Sequence, residues 1–133
     1  MIDERTITEL ATLLSRGYAL GNAATYDEHF GNTFFILTNG AVNVRLVRER
    51  GDWFAEISSS NDPNRWFDLA IVFRHLGERM QVPFSSLGQA AETLAEASSR
   101  WEPLFSPEVY PSTRRRLRAL ELQSAKERFG YSP

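Results

Sequence analysis

Two histidines are the only side chains in this sequence suited to act as neutral bases near neutral pH. His29 follows Asp27 and Glu28, and these three groups are suited to proton transfer or metal binding. His75 stands three residues before Glu78, a spacing at which one helix can offer both to a metal, but the glycine between them is expected to end the helix. Neither set completes a metal shell, because no second ligand pattern occurs elsewhere. We therefore predict no metal site and no cofactor, and keep an enzyme site around His29 or His75 as an alternative.

The other motifs that enzymes use are missing from the sequence. It contains no Cys, which excludes thiolate catalysis, disulfides and Cys-based zinc sites. No serine lies in a G-x-S-x-G turn, and the glycines match neither G-x-x-x-x-G-K-[ST] nor G-x-G-x-x-G. We therefore predict no catalytic residues, and a function in binding rather than in catalysis.

Four arginines between Arg114 and Arg118 form the sharpest charge feature. Residues 112–129 hold six basic and two acidic side chains, a net charge of +4, whereas the whole chain carries −2. The arginines could contact phosphates, which makes a nucleic-acid-associated regulator one alternative. In the other, Arg114 and Arg118 share a helix side with Leu122, cover apolar surface with their stems and pair with carboxylates. We favour this intramolecular pairing, because the overall charge does not attract a polyanion.

The clearest structural signal is a β-meander in the middle of the chain. Thr33–Thr38 is rich in β-forming residues and leads into Asn39-Gly40, a strong hairpin signal. Ala41–Arg50 alternates between apolar and polar residues over its first half, and Gly51-Asp52 suits a second two-residue turn before Trp53–Ser58. The sequence therefore predicts a three-stranded antiparallel meander over about residues 33–58.

Helical spacing predicts one helix before this meander and three after it, so we expect an α+β fold. The predicted helices run from about Thr6 to Arg16, over Leu69–Leu76, from about residue 85 to Trp101, and from about Ser112 to Phe129. Residues 18–32 and the segment around Pro63 are predicted loops. At 133 residues, with no evident linker, the chain is expected to form one domain over residues 1–133.

Two-residue turns fix the strand register, so the two faces of the sheet can be assigned. One face is apolar and is expected to lie beneath helices: Phe35, Leu37, Val42, Val44, Leu46, Trp53, Ala55 and Ile57. The other mixes aromatic and charged residues: Phe34, Ile36, Asn43, Arg45, Val47, Glu49, Phe54 and Glu56. In the predicted register Phe34 faces Arg45, which favours a cation–π contact, and Glu56 is a diagonal neighbour of Arg45.

Several segments resemble those of small bacterial immunity proteins from polymorphic-toxin systems and related families. They are VRLVRERGDWFAEI from Val44 to Ile57, WFDL from Trp66, the Leu76-Gly helix end, and WEPLFSPE from Trp101 before a charged C-terminal helix. The resemblance spans roughly residues 33–130 and transfers no functional residues. It implies a cytoplasmic protein that binds and blocks a toxin domain without chemistry of its own.

We therefore expect a protein partner, such as a toxin domain, in preference to nucleic acid. The predicted partner-binding residues are Tyr26, Asp27, Glu28 and His29 in the long loop, and Phe34, Arg45, Phe54 and Glu56 on the mixed sheet face. No apolar run approaches the roughly 20 residues of a membrane span, and the charged N-terminus is unlike a signal peptide. We accordingly expect no membrane partner and a cytoplasmic location.

Overall fold

The computed structural model describes residues 3–26 and 32–129, with side chains described over residues 3–21 and 33–128. Within these residues the fold is α+β, with five α-helices and one five-stranded antiparallel sheet whose strands lie in sequence order. The strands are β1 (Ala19–Tyr26), β2 (Asn32–Thr38), β3 (Val42–Glu49), β4 (Asp52–Ser59) and β5 (Asp62–Asp68). The helices are α1 (Glu4–Glu9), α2 (Ala11–Leu14), α3 (Leu69–His75), α4 (Leu87–Trp101) and α5 (Tyr110–Phe129), with a short 3-10 helix over Glu102–Phe105.

The α+β class is confirmed, but the prediction of three strands is wrong. β1 and β5 occupy the two segments for which the sequence predicts loops. β1 is rich in small residues and is held by pairing with β2, with a bulge between Leu20 and Asn22. β5 contains Pro63, which a strand at the edge of a sheet tolerates because one side of its backbone needs no partner. Pairing with a neighbouring strand therefore overrides weak local propensity in both segments.

Both tight turns lie one residue away from their predicted positions. The β2–β3 turn is centred on Gly40-Ala41, because the Asn39 N–H bonds to the Val42 carbonyl at 3.2 Å. The Asn39 side chain fixes this turn by accepting hydrogen bonds from the N–H groups of both Ala41 and Val42 at 2.9 Å. The β3–β4 turn is centred on Arg50-Gly51 instead of the predicted Gly51-Asp52, and the φ angles of +52° and +87° fit a type I′ turn.

These displacements change the strand register but leave the two faces intact. Phe35 pairs with Leu46, and Leu46 with Ala55, instead of the predicted Val44 and Ile57. Moving a two-residue turn by one position moves every pairing by two residues. Because side chains alternate with a period of two, each residue stays on its predicted face. The division into an apolar and a mixed face is therefore correct although the register is not.

The apolar face lies in the buried core beneath the helices. α4 covers it with a stripe of buried residues at helical spacing, which consists of Leu87, Ala90, Ala91, Leu94, Ala97 and Trp101. Leu10 and Leu13 from the N-terminal helices, Phe67 from β5 and Leu117 from α5 join the same cluster. This burial stabilises one side of the sheet by about 25 cal/mol for each Å² of apolar surface removed from water.

Most helix boundaries agree with the prediction, with one exception at the N-terminus. α3 ends one residue before the predicted Leu76, and the Ser86 hydroxyl begins α4 by accepting a hydrogen bond from the Gln89 N–H at 3.0 Å. The single N-terminal helix predicted from residue 6 to residue 16 is instead two short helices that meet at Leu10. No helix in the described part of the chain combines the length and apolar character that a membrane span requires.

Candidate partner-binding surface

The mixed side of the sheet is the candidate site, and we call it the open face. It comprises Phe34, Ile36, Asn43, Arg45, Val47, Glu49, Phe54 and Glu56, together with Trp66 and Asp68 of β5. Its apolar side chains are partly exposed, and none belongs to the buried cluster or packs against it. Trp53, on the opposite side, does pack against that cluster. Among the described residues, no helix therefore covers the open face as the helices cover the apolar face.

Val47 lies at the centre of the aromatic part of the open face. It sits on the middle strand and pairs with Phe34 on one side and with Phe54 on the other. Side chains directly opposite one another in antiparallel strands lie within contact distance. The three residues therefore form a continuous apolar row across three strands.

Arg45 organises the charged part of the same face. Its Nε donates a hydrogen bond to Glu56 Oε1 at 2.7 Å, and the guanidinium carbon lies 4.4 Å from the centre of the Trp66 ring. The side chains of Arg45 and Glu56 are 30% and 24% exposed, so this pair is only partly screened by water. One arginine thus holds a carboxylate and an indole in fixed positions.

The predicted partner of Arg45 was only partly correct. Glu56 is the direct cross-strand neighbour of Arg45 rather than a diagonal one, and Ile36 stands where Phe34 was expected. The cation–π contact exists, but its ring belongs to Trp66. The sequence does not predict the position of Trp66 because its strand contains Pro63, which favours a loop. The only signal was the short alternation of Arg65 and Phe67 with Trp66 and Asp68.

Asp68 places a second carboxylate beside Glu56. The two residues are direct partners across β4 and β5. Partial burial, followed by repulsion from Glu56 and Glu121, raises the pKa of Asp68, although Arg128 and Arg45 counteract the rise. Asp68 is also the N-cap residue of α3, but its side chain makes no capping hydrogen bond. The part of the open face formed by β4 and β5 therefore carries two adjacent carboxylates.

Four of the eight predicted binding residues lie together on the open face: Phe34, Arg45, Phe54 and Glu56. The other four belong to the predicted loop. Asp27, Glu28 and His29 lie outside the described residues. Tyr26 is the last residue of β1 and pairs with Asn32, but its side chain is not among those described.

α3 ends at His75, so Gly77 and Glu78 lie outside the helix, as the glycine between His75 and Glu78 predicts. The Glu78 carboxylate accepts two hydrogen bonds from Arg100, at 2.8 and 2.9 Å. Partial burial, with a smaller contribution from the positive charge of Arg116, lowers the pKa of His75. No group of three or more potential ligands of the His, Cys, Asp and Glu types comes together in the described ranges.

The arginine run lies on a helix whose orientation differs from the prediction. The inward side of α5 carries buried Thr113 and Leu117, then Glu121 bonded to Arg65, and Ser124 bonded to Arg74 at 2.6 Å. This stripe is displaced by one residue, or about 100° of helix rotation, from the predicted stripe. Leu122 is consequently 56% exposed instead of being covered by arginine stems.

Intramolecular pairing accounts for only part of the arginine run. Arg114 lies 3.5 Å from Asp62, which also accepts a 2.7 Å hydrogen bond from the Tyr110 hydroxyl. Arg115 and Arg118 are exposed and form no ion pair with any residue that the structure describes. The pairing favoured from the sequence therefore applies to Arg114.

We compared the chain with models of protein families, with curated proteins and with solved structures, and none matches it. The functional interpretation therefore depends on the open face itself.

Proposed function

We propose that the chain is a non-catalytic protein-binding domain that docks a partner protein on its open face, most concretely an immunity-type inhibitor of a toxin domain. The observation that supports this is a partly exposed apolar row bordered by charged groups, with no described helix over it. Apolar surface with a polar rim is typical of protein interfaces. The immunity-type identity rests on the resemblance of residues 33–130.

The side chains of the open face suit a protein partner in type and in rigidity. Aromatic and arginine side chains dominate the binding energy of protein interfaces, and this face offers Phe34, Phe54, Trp66 and Arg45. The Arg45 contacts fix Trp66 and Glu56 before a partner arrives. Less conformational entropy is then lost on binding.

The charge of the open face favours a partner with a basic surface. Its charged members are one arginine, Arg45, and three carboxylates, Glu49, Glu56 and Asp68, which gives 1 − 3 = −2. Complementary charges steer the encounter of two proteins and raise the association rate. A toxin domain that binds nucleic acid would present such a basic surface.

The test is a substitution at the centre of the apolar row. Val47→Lys places a charge between Phe34 and Phe54, and Leu122→Lys makes the same kind of change on an exposed residue of α5. The tagged chain captures its partner from the source cell, and the purified partner is then titrated against each variant by calorimetry. We expect Val47→Lys to weaken binding by about 30-fold or more, the effect of losing a central interface residue. Leu122→Lys should bind like the native chain.

Equal affinity of the native chain and Val47→Lys would contradict docking on the open face. The predicted loop is tested separately with Asp27→Lys and Glu28→Lys, for which unchanged association kinetics would exclude the loop from the interface. Inhibition is tested by co-expression with the captured partner. Growth rescue by the native chain and not by Val47→Lys would support an immunity role, whereas a partner that is harmless alone would contradict it.

A second candidate function is contact with nucleic acid through α5. The observation that favours it is the exposure of Arg115 and Arg118 without ion pairs to described residues. Binding to duplex DNA should then weaken steeply with salt, and removing both charges with glutamine should reduce the slope of log K against log salt by about 2. A flat salt response would reject this candidate.

A further inference from the structure

A cleft of about 470 Å³ lies on the other side of the sheet from the open face. It opens where β2 begins and β3 ends, beside the Arg50-Gly51 turn, and α1 and the start of α4 close its sides. Pockets that hold small molecules in proteins have volumes of about 300–1,000 Å³. The cleft is therefore large enough for a small organic ligand.

One wall of the cleft is aromatic and held in place, while most of its other lining residues are polar. The rings of Phe35 and Trp53 are stacked, with centroids 6.0 Å apart and planes inclined by 18°. Two backbone hydrogen bonds with Phe84, of 3.0 and 2.8 Å, fix Trp53, and Phe35 and Leu87 are buried behind it. A planar ring can pack against the partly exposed Trp53 ring and remove its apolar surface from water.

The mouth of the cleft carries one uncompensated positive charge. Arg5 is already paired with Glu9 at 3.4 Å, so these two side chains cancel. Arg48 is exposed and forms no ion pair with any residue in the described ranges. It is the direct cross-strand neighbour of Trp53, so its charge stands next to the aromatic wall. A guanidinium in this position can bind a carboxylate or a phosphate ester through two parallel hydrogen bonds.

We propose that the cleft binds a small organic monoanion with a planar ring, the ring against the Trp53 side of the wall and the anionic group on Arg48. An inorganic anion would make no apolar contact with the Trp53 ring, and a neutral ring would not bind the Arg48 charge. A ligand with several negative charges would exceed the single uncompensated positive charge of Arg48. The same geometry accepts a carboxylate or a monoanionic phosphate ester, so these two ligand types are compared directly.

The three tryptophans provide separate reporters for this test. Trp53 lines the cleft and Trp66 lies on the open face, while Trp101 is fully buried and its indole N–H bonds to the Leu94 carbonyl at 3.0 Å. Their indole N–H signals are followed by nitrogen–proton NMR during titration with naphthalene-2-carboxylate. The neutral probe is naphthalene-2-carboxamide, the ring-free probe is inorganic phosphate, and the ester probe is methyl naphthyl phosphate. Arg115→Gln is the control for Arg48→Gln, because both arginines are exposed.

We expect the carboxylate to shift the Trp53 signal and to bind about tenfold more tightly than the carboxamide. Arg48→Gln should abolish that difference, Arg115→Gln should preserve it, and inorganic phosphate should leave Trp53 unmoved. An unchanged Trp101 signal verifies that each variant is folded. Equal binding of carboxylate and carboxamide, retention of the difference in Arg48→Gln, or a shift of Trp66 without Trp53 would each overturn the proposal. So would the absence of binding by both ring-bearing anions at millimolar concentration.

Discussion

Replacing Arg45 with methionine tests whether this arginine holds the open face together. The change keeps a long apolar stem but removes the ion pair to Glu56 and the contact with the Trp66 ring. A partly exposed ion pair contributes about 0.2–1 kcal/mol. A cation–π contact adds about 0.5–1 kcal/mol when it is exposed, and more when water is excluded. The free energy of unfolding should therefore fall by about 1–2 kcal/mol.

The contribution of the indole contact is isolated by a double-mutant cycle. Urea unfolding at 25 °C, followed by circular dichroism, is measured for the native chain, Arg45→Met, Trp66→Leu and the double variant. We expect a coupling free energy of about 0.5–1 kcal/mol between the two positions. Arg48→Met is the matched control, because Arg48 lies on the same strand and forms no ion pair with described residues; it should change stability by less than about 0.5 kcal/mol.

Additive effects would refute the reasoning. If the losses in Arg45→Met and Trp66→Leu sum to the loss in the double variant within about 0.3 kcal/mol, the two side chains do not interact energetically. A destabilisation in Arg48→Met equal to that in Arg45→Met would also refute it. The effect would then come from a general change in strand charge and not from the contacts of Arg45.

Two further predictions concern stability. The raised pKa of Asp68 means that the folded state retains a proton more readily than the unfolded state, so stability falls as pH rises through the interval between the two pKa values. Asp68→Asn should therefore be more stable than the native chain at pH 7 and should lose this advantage below the ordinary carboxyl pKa of 3.8; an equal gain at both pH values would contradict the prediction. Gly51→Ala, at φ +87°, should lower the free energy of unfolding by about 1 kcal/mol in urea titrations, whereas Gly88→Ala within α4 should raise it by up to about 1 kcal/mol. A neutral Gly51→Ala would show that this turn readily adopts another conformation.

The central strands and their faces could be predicted because the errors in the turn positions did not change the face on which each side chain lies. Asn39-Gly40 is a strong hairpin signal, but Asn39 precedes the two central residues of the turn. Its side chain accepts hydrogen bonds from the N–H groups of Ala41 and Val42, so the turn is centred one residue later. Arg50 adopts a positive φ, which is uncommon for a residue other than glycine and which a type I′ turn requires. Each displacement moved the register by an even number of residues and therefore kept the faces.

The edge strands could not be predicted because their stability comes from partners distant in sequence. No local pattern in β1 distinguishes a strand from a loop, and Pro63 argues against a strand unless the edge position of β5 is known. For the same reason the contact between Trp66 and Arg45 could not be predicted, because it requires β5 to pair with β4. The rotation of α5 was missed for the same reason: Arg65 and Arg74, from other elements, select its inward side.

The two proposed sites lie on opposite sides of the sheet, although some of their residues are close in sequence. Arg45 and Arg48 stand three residues apart on β3, but the alternation of side chains sends them to opposite sides of the sheet. Arg45 contacts Glu56 and Trp66 and so fixes part of the open face. Arg48 forms no ion pair with a described residue and can bind a ligand. Both sides nevertheless meet in β4, where Trp53 and Phe54 are consecutive and point in opposite directions. A ligand in the cleft can therefore affect partner binding through the backbone of strands that both sites share. Partner affinity measured with and without naphthalene-2-carboxylate reports that coupling directly, because any change must be reciprocal.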